Sequence, residues 1–223
     1  MKIKSVGVLI ALFATSSVAL ADDGFYVGAK LLGARRQVSD MTLTSPRVTN
    51  RINTPDAVNR LNGSIAAGYT FAEEYRAELE YTLPSTGNYV ARWNPFINND
   101  NVLQTRSSRL MVNAYRDWSI TEKTSFYVMV GAGGTLVRAK GWQTTPDRTL
   151  DSRWTYRPTY SAGIGLSHQL PAGVALDAGY RFVRAGQFST GRNAYANAAM
   201  ARDEQLQGRL REHNVYVGLR KSF

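Results

Sequence analysis

The sequence predicts an all-β protein: an eight-stranded antiparallel up-and-down transmembrane β-barrel with long extracellular loops and short periplasmic turns. Three observations carry this reading. Apolar and polar residues alternate with period two in eight separate runs, the mark of strands with two different faces. The connections between those runs are alternately short and long. Beyond the N-terminus, no stretch supplies the roughly 18 apolar residues that a membrane-spanning helix needs.

The N-terminus is read first, because it is set aside. Lys2 and Lys4 precede an apolar run over 6–14, and Ala19-Leu20-Ala21 closes the segment with a small-x-small pattern. These are the features of a secretory signal peptide, and the apolar run is too short to span a bilayer. Residues 1–21 are therefore expected to be cleaved, leaving 22–223 as one exported barrel domain. The chain has no cysteine. That excludes a disulfide scaffold, a thiolate metal site and a cysteine nucleophile.

The eight runs lie at 24–34, 61–71, 75–83, 108–118, 126–138, 156–168, 174–182 and 212–223. In the third, Tyr75, Ala77, Leu79, Tyr81 and Leu83 oppose Arg76, Glu78, Glu80 and Thr82. In the seventh, Val174, Leu176, Ala178, Tyr180 and Phe182 oppose Asp177, Gly179 and Arg181. The short connections are 72–74, 119–125 and 169–173. The long ones are 36–60, 84–107, 139–155 and 184–211, rich in Asn, Pro, Gly, Thr and Arg. In a meander, every long loop then falls at one end, as in the barrels of the Gram-negative outer membrane.

A soluble eight-stranded barrel of the lipocalin kind is the rival, with its apolar face inside. The second run argues against it: Asn62, Ser64, Ala66, Gly68 and Thr70 are small residues suited to a crowded interior, while the other face is apolar throughout. Aromatic residues also gather where runs meet the short turns, at Phe25, Phe71, Tyr75, Trp118 and Phe126. Such a belt marks a membrane–water interface. Phe223 falls on the same lipid-facing register, at the periplasmic rim of a last strand that must pair with the first. Closure is compulsory, because an open edge would leave backbone groups unpaired in hydrocarbon.

The segments "GFYVGAKLLG" (24–33), "RAELEY" (76–81), "LMVNAYRDW" (110–118), "VGAGG" (130–134), "LDAGYRF" (176–182) and "HNVYVGLRKSF" (213–223) resemble the opacity-type surface proteins. They are also similar to the transmembrane domain of outer membrane protein A. The resemblance covers nearly all the strands and none of the long loops. It implies an eight-stranded barrel, roles in adhesion, surface protection or envelope integrity, and insertion by the outer-membrane assembly machinery through a C-terminal aromatic signal. Phe223 matches that signal; Lys221 departs from the aromatic usual two residues earlier.

Two groups of charge need separate readings. The inward register holds Lys30, Arg76, Glu78, Glu80, Arg109, Asp117, Asp177, Arg181 and Arg220, five positive and four negative. An eight-stranded barrel is just wide enough for side chains to fill it, so these charges are expected to pair and plug the lumen. The alternative is a narrow porin-like channel for small solutes. The second group is outside. The long-loop side, from 35–60, 84–108, 138–157 and 184–211, carries 17 basic and 7 acidic residues, and the remainder of the mature chain is slightly acidic.

Arg35, Arg36, Arg47, Arg51, Arg148, Arg153, Arg192 and Arg202, with Trp93 and Trp142, are the expected loop contacts. Arginine forks match phosphate and sulfate, and Trp or Tyr beside Arg makes binding hot spots. Trp154 and Tyr156 instead continue the lipid-facing register of the sixth run and are read as an outer belt. The expected partners are outer-membrane lipid, lipopolysaccharide, the assembly machinery, and a host glycan or receptor. Nucleic acid is not expected, since exported loops do not meet it.

Catalysis is not expected, and no cofactor or metal is. Of the two histidines, His168 follows Ser167, but neighbours on a strand point to opposite faces. His213 has no serine beside it, and neither Asp147 with Asp151 nor Asp203 with Glu204 has a recognisable setting. Glu78 and Glu80 share a face, but Arg76 stands beside them. The expectation is a structural or adhesin-type surface barrel of the Gram-negative outer membrane.

Overall fold

A computed structural model of the chain describes residues 24–46, 49–52, 57–71, 74–92 and 100–223. The predicted signal peptide lies outside these residues. The strands are β1 (Phe25–Thr44), β2 (Thr49–Arg51), β3 (Val58–Phe71), β4 (Tyr75–Arg92), β5 (Asp100–Ser119), β6 (Thr124–Gln143), β7 (Thr149–Leu170), β8 (Val174–Ser189) and β9 (Gln205–Ser222). β2 is a three-residue strand laid against the outer end of β1. The other eight form a closed wall in sequence order, every pair antiparallel, with β1 also pairing β9. This is the predicted up-and-down barrel. Phe223 adds to the closing seam: its amide donates to the Phe25 carbonyl at 3.1 Å.

The register fixes the barrel's dimensions. Paired residues lead from Arg211 through Arg184, Tyr160, Ala132, Val112, Leu79, Ala67 and Val27 to Lys221, ten residues along β9 from the start. With a rise of about 3.3 Å per residue and strands about 4.8 Å apart, a shear of that size tilts eight strands by about 40°. The radius is then about 8 Å, leaving an interior that side chains fill.

The apolar register faces out. Leu61, Val112 and Val215 are 72%, 59% and 64% exposed, which an aqueous barrel would not tolerate over a continuous band. Phe25, Phe71, Tyr75, Trp118 and Phe223 form the exposed lower belt, with Trp118 stacked on Phe126 at 6.0 Å. The described short turns, at 120–123 and 171–173, lie beside it. One is built by Pro171, Ala172 and Gly173, where Ala172 and Gly173 take left-handed φ values of 61° and 66°.

The lower ends of the strands fall within two residues of the sequence reading, whereas the upper ends run well past it. β4 continues to Arg92, β5 begins at Asp100, and β9 begins at Gln205, all inside segments read as loops. The physical reason is an inversion. Alternation persists above the lipid band, but its sense reverses: Val38, Met41, Leu43, Tyr89, Leu103, Val137, Leu150, Phe188, Leu206 and Leu210 now point inward into one apolar cluster. Outward residues there are mostly polar, Val90 being an exposed exception, so the lipid-face pattern fades although the strands do not. A bulge between Ser39 and Thr42, with Asp40 at φ 53°, returns β1 to the correct face.

Candidate functional site

The lower lumen is a stack of ion pairs. Lys30 reaches Glu78 at 2.5 Å and Glu80 at 3.0 Å, and donates to the Tyr115 hydroxyl at 3.0 Å. Arg181 grips Glu80 with both terminal nitrogens, at 2.8 and 2.7 Å. Nearer the periplasm, Arg76 makes a two-pronged pair with Asp117 at 2.7 and 2.9 Å. Arg220 bonds Asp177 at 3.3 Å and the buried Ser167 hydroxyl at 2.9 Å. These eight charged residues, and Arg109 at 4% exposure, lie on the inward face. Tyrosines fill the space between them: Tyr127 and Tyr216 share a 2.8 Å hydrogen bond, and the Arg76 guanidinium stacks 4.4 Å from the Tyr115 ring centre.

One expectation is corrected here. Arg36 is not a loop contact. It is 2% exposed, on the inward face of β1, with its Nε 2.9 Å from Glu212 Oε1. That contact is off-axis for a hydrogen bond and acts through charge. Arg109 donates both terminal nitrogens to Glu212 Oε2, each at 3.1 Å. Glu212 was absent from the inward set read from the sequence. The signal was available, because Glu212 precedes Asn214 by two residues on the polar register of the last strand. Arg36 follows Lys30, Leu32 and Ala34 in the same way.

The lumen thus has two storeys, charged below and apolar above, each packed across the barrel's width. Below them a mouth of about 660 Å³ opens to the periplasm, lined in part by Arg76, Asp117 and Arg220.

Part of the basic outer end lies among the described residues. The turn 144–148 and the segment 190–204 meet over the barrel. The Arg148 guanidinium lies 4.4 Å from the Tyr195 ring centre, and the Tyr195 hydroxyl donates to Gln143, with Glu204 Oε2 3.4 Å away. Burial first, then the Glu204 carboxylate, push the Tyr195 phenol above its ordinary range, although Arg148 opposes this. Asn193 and Asn197 hold the segment by bonding Tyr195, Ala201 and Glu204. Arg192 and Arg202 are exposed.

Other predicted contacts lie on the wall. Arg35 is exposed on the outward face of β1; Arg153 is exposed on β7, reaching Ser189 Oγ at 3.4 Å. Trp142 is a correction: it stands half-buried on β6, paired with Val102 and Thr149, and not in a loop. Arg47 and Trp93 lie outside the described residues, as does the side chain of Arg51. Trp154 and Tyr156 point outward, as expected for a belt, with Arg138 5.7 Å from the Trp154 ring centre.

Ser167 and His168 point to opposite faces of the wall, as neighbours on a strand do. His168 Nδ1 lies 2.9 Å from Thr124 Oγ1 on the outer surface, while Ser167 is buried in the lumen. His213 Nδ1 is 2.7 Å from the Tyr180 hydroxyl.

Residues 5–223 match the family model described as outer membrane protein beta-barrel domain. The outer membrane protein PagN of Salmonella typhimurium (strain LT2) is 23% identical over 210 residues, covering 86% of this chain and 87% of that protein. A Rickettsia typhi protein named provisionally as an adhesin, RT0816, is 26% identical over 165 residues, covering 70% and 72%. Among solved structures, the outer membrane protein OprG from Pseudomonas aeruginosa superposes with a TM-score of 0.59 at 10% identity, over 90% of this chain and 97% of that one. That likeness concerns the fold alone.

Proposed function

We propose that this chain, which belongs to the outer membrane protein beta-barrel family, is an adhesin-type surface protein whose basic outer end takes acidic glycans of a host surface. The observation that carries the reading is the extended, apolar-filled upper barrel. Strands of 18 to 22 residues in β4–β7 and β9 are about twice the 9–11 needed to cross a membrane. The surplus forms a stalk with its own apolar cluster, and a packed core holds what it carries in one geometry. At its top are Arg148, Arg192 and Arg202, with Tyr195. Arg47, Arg51 and Trp93 are proposed to join them. One of the two sequence relatives is named as an adhesin, which supports the same class of role. A lumen closed by two storeys supports an interaction protein over a channel, and the role proposed is non-catalytic.

Surface expression in a non-adherent bacterium tests this. Adhesion to epithelial monolayers should rise over the empty strain and fall to the control level with soluble heparin as competitor. The R148S/R192S/R202S variant, folded and at equal surface density, should lose most of that adhesion. Full adhesion by the variant would overturn the assignment.

A further inference from the structure

A second basic feature belongs to the wall and not to the loops. Arg106 on β5 and Arg138 on β6 are direct cross-strand partners, and so are Arg184 on β8 and Arg211 on β9. All four lie on the outward register. Arg106, Arg138 and Arg184 are exposed, and the Arg211 side chain is 38% exposed. Partners across an antiparallel pair have Cα atoms about 5 Å apart, and like charges placed there destabilise a sheet. Among the described residues, Asp40 is the one carboxylate near either pair, 3.7 Å from Arg211 and 3.8 Å from Arg209. Asp40 partly offsets the Arg184–Arg211 pair, and Arg138 Nε donates to Ser152 Oγ at 2.7 Å, so a further anion between each pair would relieve the repulsion that remains.

Their position along the strands identifies where that anion resides. Arg106 is twelve residues from Trp118 on β5, Arg138 twelve from Phe126 on β6, and Arg211 twelve from Phe223. Arg35 is ten residues from Phe25 on β1. At a tilt of about 40°, ten to twelve residues rise about 25–30 Å. The apolar band of an outer-membrane barrel is about 25 Å tall. Measured from the lower aromatic belt, the arginine pairs therefore stand at the head-group level of the outer leaflet.

We infer that Arg106 with Arg138, and Arg184 with Arg211, are two clamps for the phosphate groups of a phosphorylated outer-leaflet glycolipid. Each guanidinium offers two parallel N–H donors, so a pair of forks surrounds one phosphate and cancels the repulsion between them. Juxtamembrane arginines bind anionic head groups, and the bound lipid stabilises the folded barrel by mass action.

The test uses the full-length protein refolded into phosphatidylcholine vesicles, alone or with bisphosphorylated lipid A, with dephosphorylated lipid A, or with millimolar inorganic phosphate. The readout is the temperature at which heat-modifiable migration is lost. Phosphorylated lipid A should raise the midpoint by about 5 °C, and the other two additions should not. R106S/R138S and R184S/R211S should each lose about half of the shift, and the fourfold variant all of it. In phosphatidylcholine alone, the fourfold variant should be at least as stable as the parent, because the like charges are gone. Should it not fold, R106K/R138K keeps the charge without the fork and should show a reduced shift. An undiminished shift in the variants, or an equal shift with dephosphorylated lipid A or with free phosphate, would overturn the proposal.

Discussion

Arg36 and Glu212 meet inside the barrel, 2.9 Å apart and each 2% exposed, on strands that close the wall. They sit where the charged storey gives way to the apolar one, since Val38 and Leu210, the next inward residues on β1 and β9, belong to the upper cluster. With Arg109 on the far side, Glu212 neutralises two guanidiniums that have no bulk water to turn to. The pair therefore marks the boundary between the two kinds of packing, and it is held by one carboxylate.

Replacing that carboxylate should be costly. Glu212→Ala leaves two buried arginines facing each other, and breaking such a network costs about 3–5 kcal/mol. Urea unfolding of the refolded barrel, followed by tryptophan fluorescence, should show a destabilisation of that order. Glu74→Ala removes a loose surface partner of Arg116, 3.8 Å away, and should change the same midpoint little.

The apolar upper storey makes a different prediction. Phe188 is 1% exposed within the upper cluster, and Phe→Ala in a packed core costs about 3–5 kcal/mol. Phe188→Ala should loosen the stalk and leave the lipid-embedded part intact. Limited proteolysis from outside should then cut near 190–204 at far lower protease concentrations, with no change in the size of the membrane-protected fragment. Unchanged cleavage would mean that the loops are held by their own hydrogen bonds and not by the core beneath them.

The lumen should not conduct. Arg181 on Glu80 and Arg109 on Glu212 cross the bore one above the other, and the apolar cluster closes it again above. Planar-bilayer recordings of the folded protein should give no steady current. A steady conductance that shifts in Arg181→Ala would establish the channel reading in its place.

Phe223 joins closure to the lower belt. Its ring is exposed on the lipid side, and its amide makes the last hydrogen bond to Phe25. Deleting it should lower the fraction of protein that reaches the outer membrane in heat-modifiable form. An unchanged fraction would show that the terminal aromatic has no part in assembly.

Much of this was legible in the sequence, and the limits have one physical origin. Within the lipid band the solvent outside the wall is hydrocarbon, so Leu79 and Val215 must face out, and Glu80 and Asn214 must face in. Period two then reports orientation directly. Above the band the solvent is water, so the same period carries the opposite meaning. Leu206 and Leu210 turn inward and Arg209 and Arg211 turn outward, and a reader following the lipid-face pattern sees it dissolve into polar loop. Trp142 lies in strand and not in loop for this reason, whereas Arg36 still follows the inward register of Lys30 and Ala34 and was legible there. The cross-strand partners of Arg106 and Arg184 were not legible at all, because register depends on turn and bulge positions that no single run reveals.

The measurement that tests the central claim most directly is binding of immobilised heparin to the full-length barrel in phosphatidylcholine vesicles, across a salt series. The account predicts saturable binding that weakens as salt rises, that drops at least tenfold in R148S/R192S/R202S, and that survives in the wall variant R106S/R138S. Binding that persists in the loop variant but disappears in the wall variant would contradict it, and would move the glycan site from the stalk's top to the membrane rim.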